Sequence, residues 1–187
     1  METAVKGYMI QFAGRFVVED PVLSTRVPPS LIEEIRFQQD SIKPNEWVAR
    51  ENLVRIYRAI AETHPDDERA AYDDLVRCGT AMGGFATGTF LRLLLKVLTP
   101  RMFAKKFPDL WARDHKRGRI EVVSVDDRSM VMLFKEVEGY DHFPPVAAGW
   151  GGSTLTGIGV KNLQMKVVPW SLAEPTAPEV RVIATWQ

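Results

Sequence analysis

The sequence predicts an α+β fold in which an N-terminal helical part packs on a four-stranded antiparallel sheet made of two hairpins with a crossing helix. Three observations carry this. Apolar residues recur at helical spacing before Gly118 and at a spacing of two after it. Residues 89–98 are apolar apart from Arg92 and Lys96, which stand four apart, so a helix there is buried nearly all round. That run is about ten residues long, roughly half of what a bilayer requires, so it reads as a core helix and not a membrane span.

Composition narrows the partners. The 187 residues are 45% hydrophobic and 26% charged, the ordinary globular range. One domain is expected over 1–187, with 1–45 an extension or extra strand, 46–118 helical and 119–187 forming the sheet. Lysine plus arginine equals aspartate plus glutamate at 24 each, and no global field argues for nucleic acid or an acidic membrane. The single Cys78 excludes an internal disulfide framework and a cysteine-based metal site. The first residues show no basic region leading into an apolar segment, so a cytoplasmic protein is expected.

In chain order, Tyr8, Ile10, Phe12, Phe16 and Val18 alternate around Gly14, and 8–18 reads as a strand or hairpin. Residues 22–29, rich in proline, read as an extended connection. Ser30 with Glu33 three residues on has the form of a capping box for two helical turns over 31–37, and 40–45 is a break. Leu53, Ile56, Tyr57 and Ile60 make 47–62 an amphipathic helix. Another starts at Pro65, with Asp66, Asp67 and Glu68 on the positive end of its dipole, and closes at Gly83-Gly84. After the buried helix, Thr99-Pro100 opens a further one that Pro108 should kink or split.

Beyond Gly118, 119–125 and 130–137 are β-rich runs joined by Asp126-Asp127-Arg128-Ser129, a hairpin. Leu163, Met165 and Val167 alternate with polar residues, as do Val180, Val182, Ala184 and Trp186, giving a second hairpin. The glycine- and proline-rich 143–159 between them reads as a helix crossing the sheet, its glycines permitting close packing. One face of such a sheet is wet, and the other needs the helices.

Candidate chemistry is sparse. The glycines from Gly149 to Gly159 lack the lysine of a phosphate-binding loop, and close packing is the better reading. His64, His115 and His142 are too scattered to imply a metal centre. Cys78 reads as a small buried hydrophobe. No acid, base and nucleophile set can be assembled, so no catalytic residue, metal or cofactor is assigned. The informative set is aromatic and methionine-rich: Phe85, Phe90, Leu94, Met102, Phe103, Phe107 and Trp111 from successive helices, with Met132 and Phe134 from the facing strand. It is either plain core or the lining of a pocket for an apolar small molecule.

The order of elements, with Phe107-Pro108-Asp109-Leu110-Trp111 ending a helix, Gly118 before a hairpin, a glycine-rich crossing helix and a last hairpin ending Ala184-Thr185-Trp186, resembles the haem-NO-binding-like superfamily. That group includes four-vinyl-reductase-type domains and the lipid-cavity TRAPP transport subunits, and the likeness extends to an uncharacterised bacterial family of similar length. The resemblance covers 47–186 and implies small-molecule binding or scaffolding, often as homodimers. Two departures matter: there is no Tyr-x-Ser-x-Arg haem signature and no histidine between Phe85 and Phe107, and the cysteine cluster of four-vinyl-reductase-type domains is absent. The functional expectation is therefore a non-enzymatic ligand-binding or regulatory domain without cofactor. Its alternatives are a protein-protein scaffold with a solid core and a small enzyme of unknown reaction. A homodimer is expected through 47–82, with Trp47, Leu53, Ile56, Tyr57 and Ile60 supplying its apolar centre.

Overall fold

A computed structural model describes residues 3–86 and 98–187, with Ala86 described in its backbone only. Phe90, Leu94 and the buried-helix expectation for 89–98 lie outside these residues, apart from Leu98.

The chain opens with β1 (Ala4–Lys6), α1 (Gly7–Glu19), α2 (Leu23–Arg26), α3 (Pro29–Ser41) and β2 (Trp47–Ala49), then α4 (Arg50–Glu62) and α5 (Glu68–Ala86). It resumes with α6 (Pro100–Asp114), β3 (Arg119–Val125), β4 (Ser129–Lys135), α7 (Phe143–Ile158), β5 (Gln164–Val168) and β6 (Glu179–Thr185). The large sheet has the order β3-β4-β6-β5, antiparallel throughout, so the two hairpins expected from the sequence meet along β4 and β6. Register pairs Met132 with Val182 and Phe134 with Val180, and all four side chains are buried on the face that the helices cover.

The N-terminal third corrects the sequence reading. Residues 8–18 form a helix, not a strand, because Ile10, Ala13, Gly14 and Val17 bury one stripe at spacings of three and four, whereas the alternate residues Phe12, Phe16 and Val18 stay half-buried. The connection after Val22 is partly helical too. Helix α3 starts behind Pro28 with proline at its first position and no side-chain cap, so Ser30 and Glu33 form no capping box, and the helix runs to Ser41. Residues 47–49 leave the expected helix as strand β2, pairing antiparallel with β1, and α4 begins only at Arg50. Helix α5 begins at Glu68 and not Pro65: the Asp67 carboxylate accepts the Ala70 N–H at 2.9 Å, which satisfies a free N–H of the first turn. Nor do Gly83 and Gly84 end it. Helix α6 starts as expected, the Thr99 side chain accepting the Met102 N–H, and continues through Pro108 without splitting.

Within α4, Leu53, Ile56, Tyr57 and Ile60 are at most 1% exposed. Four members of the apolar centre offered to a homodimer are thus consumed by the chain's own core, while the fifth, Trp47, stays half-buried on β2 beneath Lys6 and Lys116. What holds that core is the crossing of α5 and α7, the most intimate helix pair among the described residues. A Cβ on Gly79 would overlap the Val146 carbonyl, and one on Gly149 would overlap the Val76 carbonyl. Helix α7 then ends at Gly159, whose φ of 105° lies in the left-handed region glycine tolerates.

This crossing gives a direct expectation. In an open helix, Gly→Ala stabilises by about 1 kcal/mol. At position 79 the new methyl meets backbone on the facing helix, so Gly79→Ala should lower the free energy of unfolding by about 1–3 kcal/mol in urea titration. A gain in stability would show that the helices stand further apart.

Candidate functional site

Helix α6 presents Phe103, Ala104, Phe107, Trp111 and Asp114 inward and packs along β3. Gly118, at φ 86°, turns the chain from this helix into the sheet, with Trp111 and the Lys135 carbonyl too near for a side chain to fit comfortably. The inward rings meet an aromatic cluster: Phe107 stacks on Trp150 of α7 at 5.2 Å, while Trp111 meets Phe134 edge-on at 5.5 Å and Phe143 at 5.2 Å. Such pairs add about 0.5–1.5 kcal/mol each beyond their burial.

The cluster does not close completely. An apolar cavity of about 60 Å³ remains, walled by Tyr8, Met9 and Phe12 of α1, Tyr57 of α4, Met82 of α5, Phe107, Leu110, Trp111, Asp114 and His115 at α6, Phe134 of β4, and Phe143, Val146, Ala147 and Trp150 of α7. Tyr8, Met9, Phe12 and Leu110, all half-buried, mark one side near solvent, and Trp150 of α7 is half-buried as well. Here α1 and α6 face one another with little direct backbone packing.

Of the residues singled out from sequence, Phe107, Trp111 and Phe134 line this cavity. Phe103 sits behind Phe107 at 5.1 Å, and Met132 is buried under the sheet's helical face without reaching the cavity. Phe85 packs at 5.7 Å from Phe12, beneath the Arg15 guanidinium at 4.5 Å. Met102 is 48% exposed, because it precedes by one residue the stripe that begins at Phe103. Sequence reading missed the whole α1 wall, along with Tyr57, His115 and the α7 residues. The α1 signal was available, since Tyr8 and Phe12 stand one helical turn apart.

His115 is the one histidine on the cavity. Its backbone is held by a bridge to Val5 of β1, and its ring lies flat on Trp111, 3.6 Å between centroids and 8° from parallel. Burial, reinforced by the nearby Arg50 charge, lowers its pKa to about 3, so the ring is neutral at physiological pH. Burial also raises the pKa of Tyr8, whose hydroxyl is further held protonated by Asp114, and raises those of Tyr57 and Tyr140. Asp114 is engaged by the Arg113 guanidinium through two contacts of 2.7 and 2.8 Å. Elsewhere, His64 pairs with Asp74 at 2.8 Å, and Cys78 is a buried thiol whose pKa burial raises. Among the described residues no three or more His, Cys, Asp or Glu side chains gather to hold a metal ion, and no helix is long and apolar enough to cross a membrane.

No protein-family model matches this chain, and no curated protein does. Solved structures do. An Fe(II) unliganded H-NOX protein from K. algicida superposes with a TM-score of 0.66 at 12% identity, over 97% of this chain and 96% of that one. An oxygen-binding H-NOX domain related to soluble guanylate cyclases gives a TM-score of 0.63 at 10% identity, over 97% and 95%. The chain has the H-NOX fold. A third such structure, described by the modulation of haem redox potential through porphyrin distortion, matches with a TM-score of 0.63 at 10% identity over 97% and 99%.

The fold thus raises haem, and the residues present do not fit it. An apolar cavity of about 150 Å³ is needed for benzene alone, and the space bounded by the described residues is about 60 Å³. A porphyrin carries four pyrrole rings. Residues 87–97 contain no histidine, cysteine, methionine or tyrosine that could serve as an axial ligand, and the space beside the one histidine on the cavity, His115, is too small for a porphyrin.

The neutral histidine has a measurable consequence. Above pH 6.5 His115 is uncharged in both the folded and the unfolded chain, and stability is unaffected. Between pH 6.5 and about 3 only the unfolded chain takes up the proton, so stability falls with falling pH by up to about 1.4 kcal/mol per unit. His115→Phe, which keeps a ring on Trp111, should remove about 3 kcal/mol of the loss between pH 7 and pH 4 in urea titrations. Identical pH profiles for the two proteins would show that His115 is not held neutral. Trp111→Ala, removing a side chain 5% exposed at the centre of the cluster, should cost about 3–5 kcal/mol, and an unchanged thermal midpoint would contradict its placement.

Proposed function

We propose that this chain is a non-enzymatic small-molecule-binding domain with a regulatory role, holding an apolar ligand without haem between its helices and its sheet. The carrying observation is the cavity itself. Its walls come from α1, α4, α5, α6, β4 and α7, so an occupant would touch elements from both layers at once and bias their relative positions. Small-molecule binding by H-NOX proteins, named in the oxygen-binding neighbour, supports a ligand reading for the shared fold.

The chemistry of the walls argues against an enzyme. Apart from Asp114, which Arg113 engages, and the neutral His115, the lining offers no ionised group to move a proton or attack a substrate. A scaffold acting through its surface is the second reading, and Phe37, 71% exposed on α3, is the large apolar side chain it would offer a partner. Homodimerisation through α4 would have to proceed without the apolar centre that Leu53, Ile56 and Ile60 were expected to provide.

On the scale on which about 150 Å³ takes the six carbons of benzene, the cavity of about 60 Å³ accepts a tail of about two to three carbons, such as the propyl end of 1-butanol. Methionine methyl NMR reads this directly, because Met9 and Met82 line the cavity and Met102 lies outside it. Titration with 1-butanol should shift the Met9 and Met82 resonances and leave Met102 in place. Ala147→Leu, which fills the cavity, should abolish those shifts. Resonances that stay fixed up to saturation would end the ligand reading and leave the scaffold.

A further inference from the structure

Beside the cavity lies a group of buried polar side chains that neither the fold nor the cavity explains. Arg50 opens α4, and its Nη2 donates to the Glu138 carbonyl at 3.0 Å while the guanidinium stands 4.9 Å over the Tyr140 ring. Its Nη1 has no partner, and among the described residues no carboxylate lies within ion-pair distance of it. The neighbouring acids are committed elsewhere: Glu51 and Asp141 to Arg58, at 3.5 and 3.0 Å, and Glu138 to Arg117 at 3.8 Å. The Tyr140 hydroxyl accepts from the Tyr57 hydroxyl but has no acceptor for its own proton, His115 Nδ1 has no partner, and the Tyr140 and His115 rings are 5.8 Å apart. Arg50, Tyr140 and His115 are 8%, 1% and 7% exposed.

Buried polar groups are nearly always hydrogen-bonded, and a buried cation without a counter-charge is costly. Three such groups brought together from positions 50, 115 and 140 form a site lacking its occupant's chemistry. We propose that Arg50, Tyr140 and His115 recognise the carboxylate of a short-chain aliphatic acid whose tail lies in the apolar cavity.

Donor and acceptor inventory favours this class. The guanidinium can only donate, the tyrosine hydroxyl is free to donate, and the neutral imidazole donates from Nδ1 in one tautomer. An ionised carboxylate only accepts, and it supplies the charge that Arg50 lacks. Alcohols and amides bring no such charge, and an amine would repel Arg50.

The two halves of the site share their walls. His115 and Tyr57 line the cavity, and Tyr57 also stacks against Tyr140 at 6.3 Å. Phe143 lines it as well and stacks on Tyr140 at 4.4 Å. A head group at Arg50 therefore points its tail toward Phe107 and Phe134, and the volume limits that tail to a few carbons.

The inference rests on the cavity reading, and its test separates the two. Calorimetric and methyl-NMR titrations of the intact chain would compare butyrate, butyramide, 1-butanol and acetate. Butyrate should bind at least about tenfold more tightly than butyramide or 1-butanol, the difference expected for a hydrogen-bonded charge. Acetate should bind about tenfold more weakly than butyrate, because it leaves the cavity empty. Tyr140→Phe keeps the ring stacks and removes only the hydroxyl, so it should weaken butyrate about tenfold and leave 1-butanol unchanged. Equal binding of butyrate and 1-butanol would overturn the carboxylate site while the cavity stands. Acetate matching butyrate would overturn the placement of the tail, and failure of all four to bind would overturn the cavity reading and this inference together.

Discussion

The close approach of α5 and α7 is the constraint on which the rest of the structure depends. Two glycines on opposite helices, Gly79 and Gly149, each lie against a backbone carbonyl of the other helix, so the axes meet at a distance no side chain permits. That contact locks the helical layer to the helix that crosses the sheet. It also fixes where α7 presents Phe143, Val146, Ala147 and Trp150, because a helix pinned at Gly149 cannot rotate to bury them elsewhere.

The cavity follows from this pinning. With α7 held against α5, and α6 tied through Trp111 and Gly118 to the start of β3, the remaining aromatic side chains must share a fixed space, and they leave a gap where α1 and α6 face each other. Dense packing is the rule in protein interiors, so an apolar gap among so many aromatic rings stands out. It sits in a chain with the H-NOX fold, yet its size suits no porphyrin. Fold and ligand are separable: the architecture offers a place between helices and sheet, and the side chains set what enters it.

Much of this was legible in the sequence, for physical reasons that also explain the failures. The sheet was readable because β4 and β6 bury one face only, so Met130, Met132, Phe134, Val180, Val182 and Ala184 alternate strictly. Helix α6 was readable from Thr99-Pro100, whose cap geometry is local. Helix α1 was not, because its outward face carries Phe12, Phe16 and Val18; apolar residues on both faces of a short segment fit a period of two as well as 3.6. Strand β2 escaped notice since three residues hold too little pattern, and its partner β1 lies more than forty positions earlier. Within the site, Phe107, Trp111 and Phe134 were found through helical and strand periodicity, which says which residues turn inward. It cannot say that Arg50, His115 and Tyr140, scattered over ninety positions, converge with polar hydrogen-bonding capacity left over. The buried face of α4 shows the converse error: of the apolar residues that seemed too many for one core, Leu53, Ile56, Tyr57 and Ile60 were absorbed once α1 packed as a helix, and only Trp47 was left half-buried.

The central claim is that a dry space exists among these rings and can be entered. A crystal of the protein equilibrated under xenon pressure tests it most directly, since xenon enters apolar cavities and needs no chemical recognition. The account expects a single strong xenon peak bounded by Phe107, Trp111, Phe134 and Phe143, with the surrounding side chains unmoved. Continuous packing of side-chain density through that volume, with no xenon bound there, would contradict it.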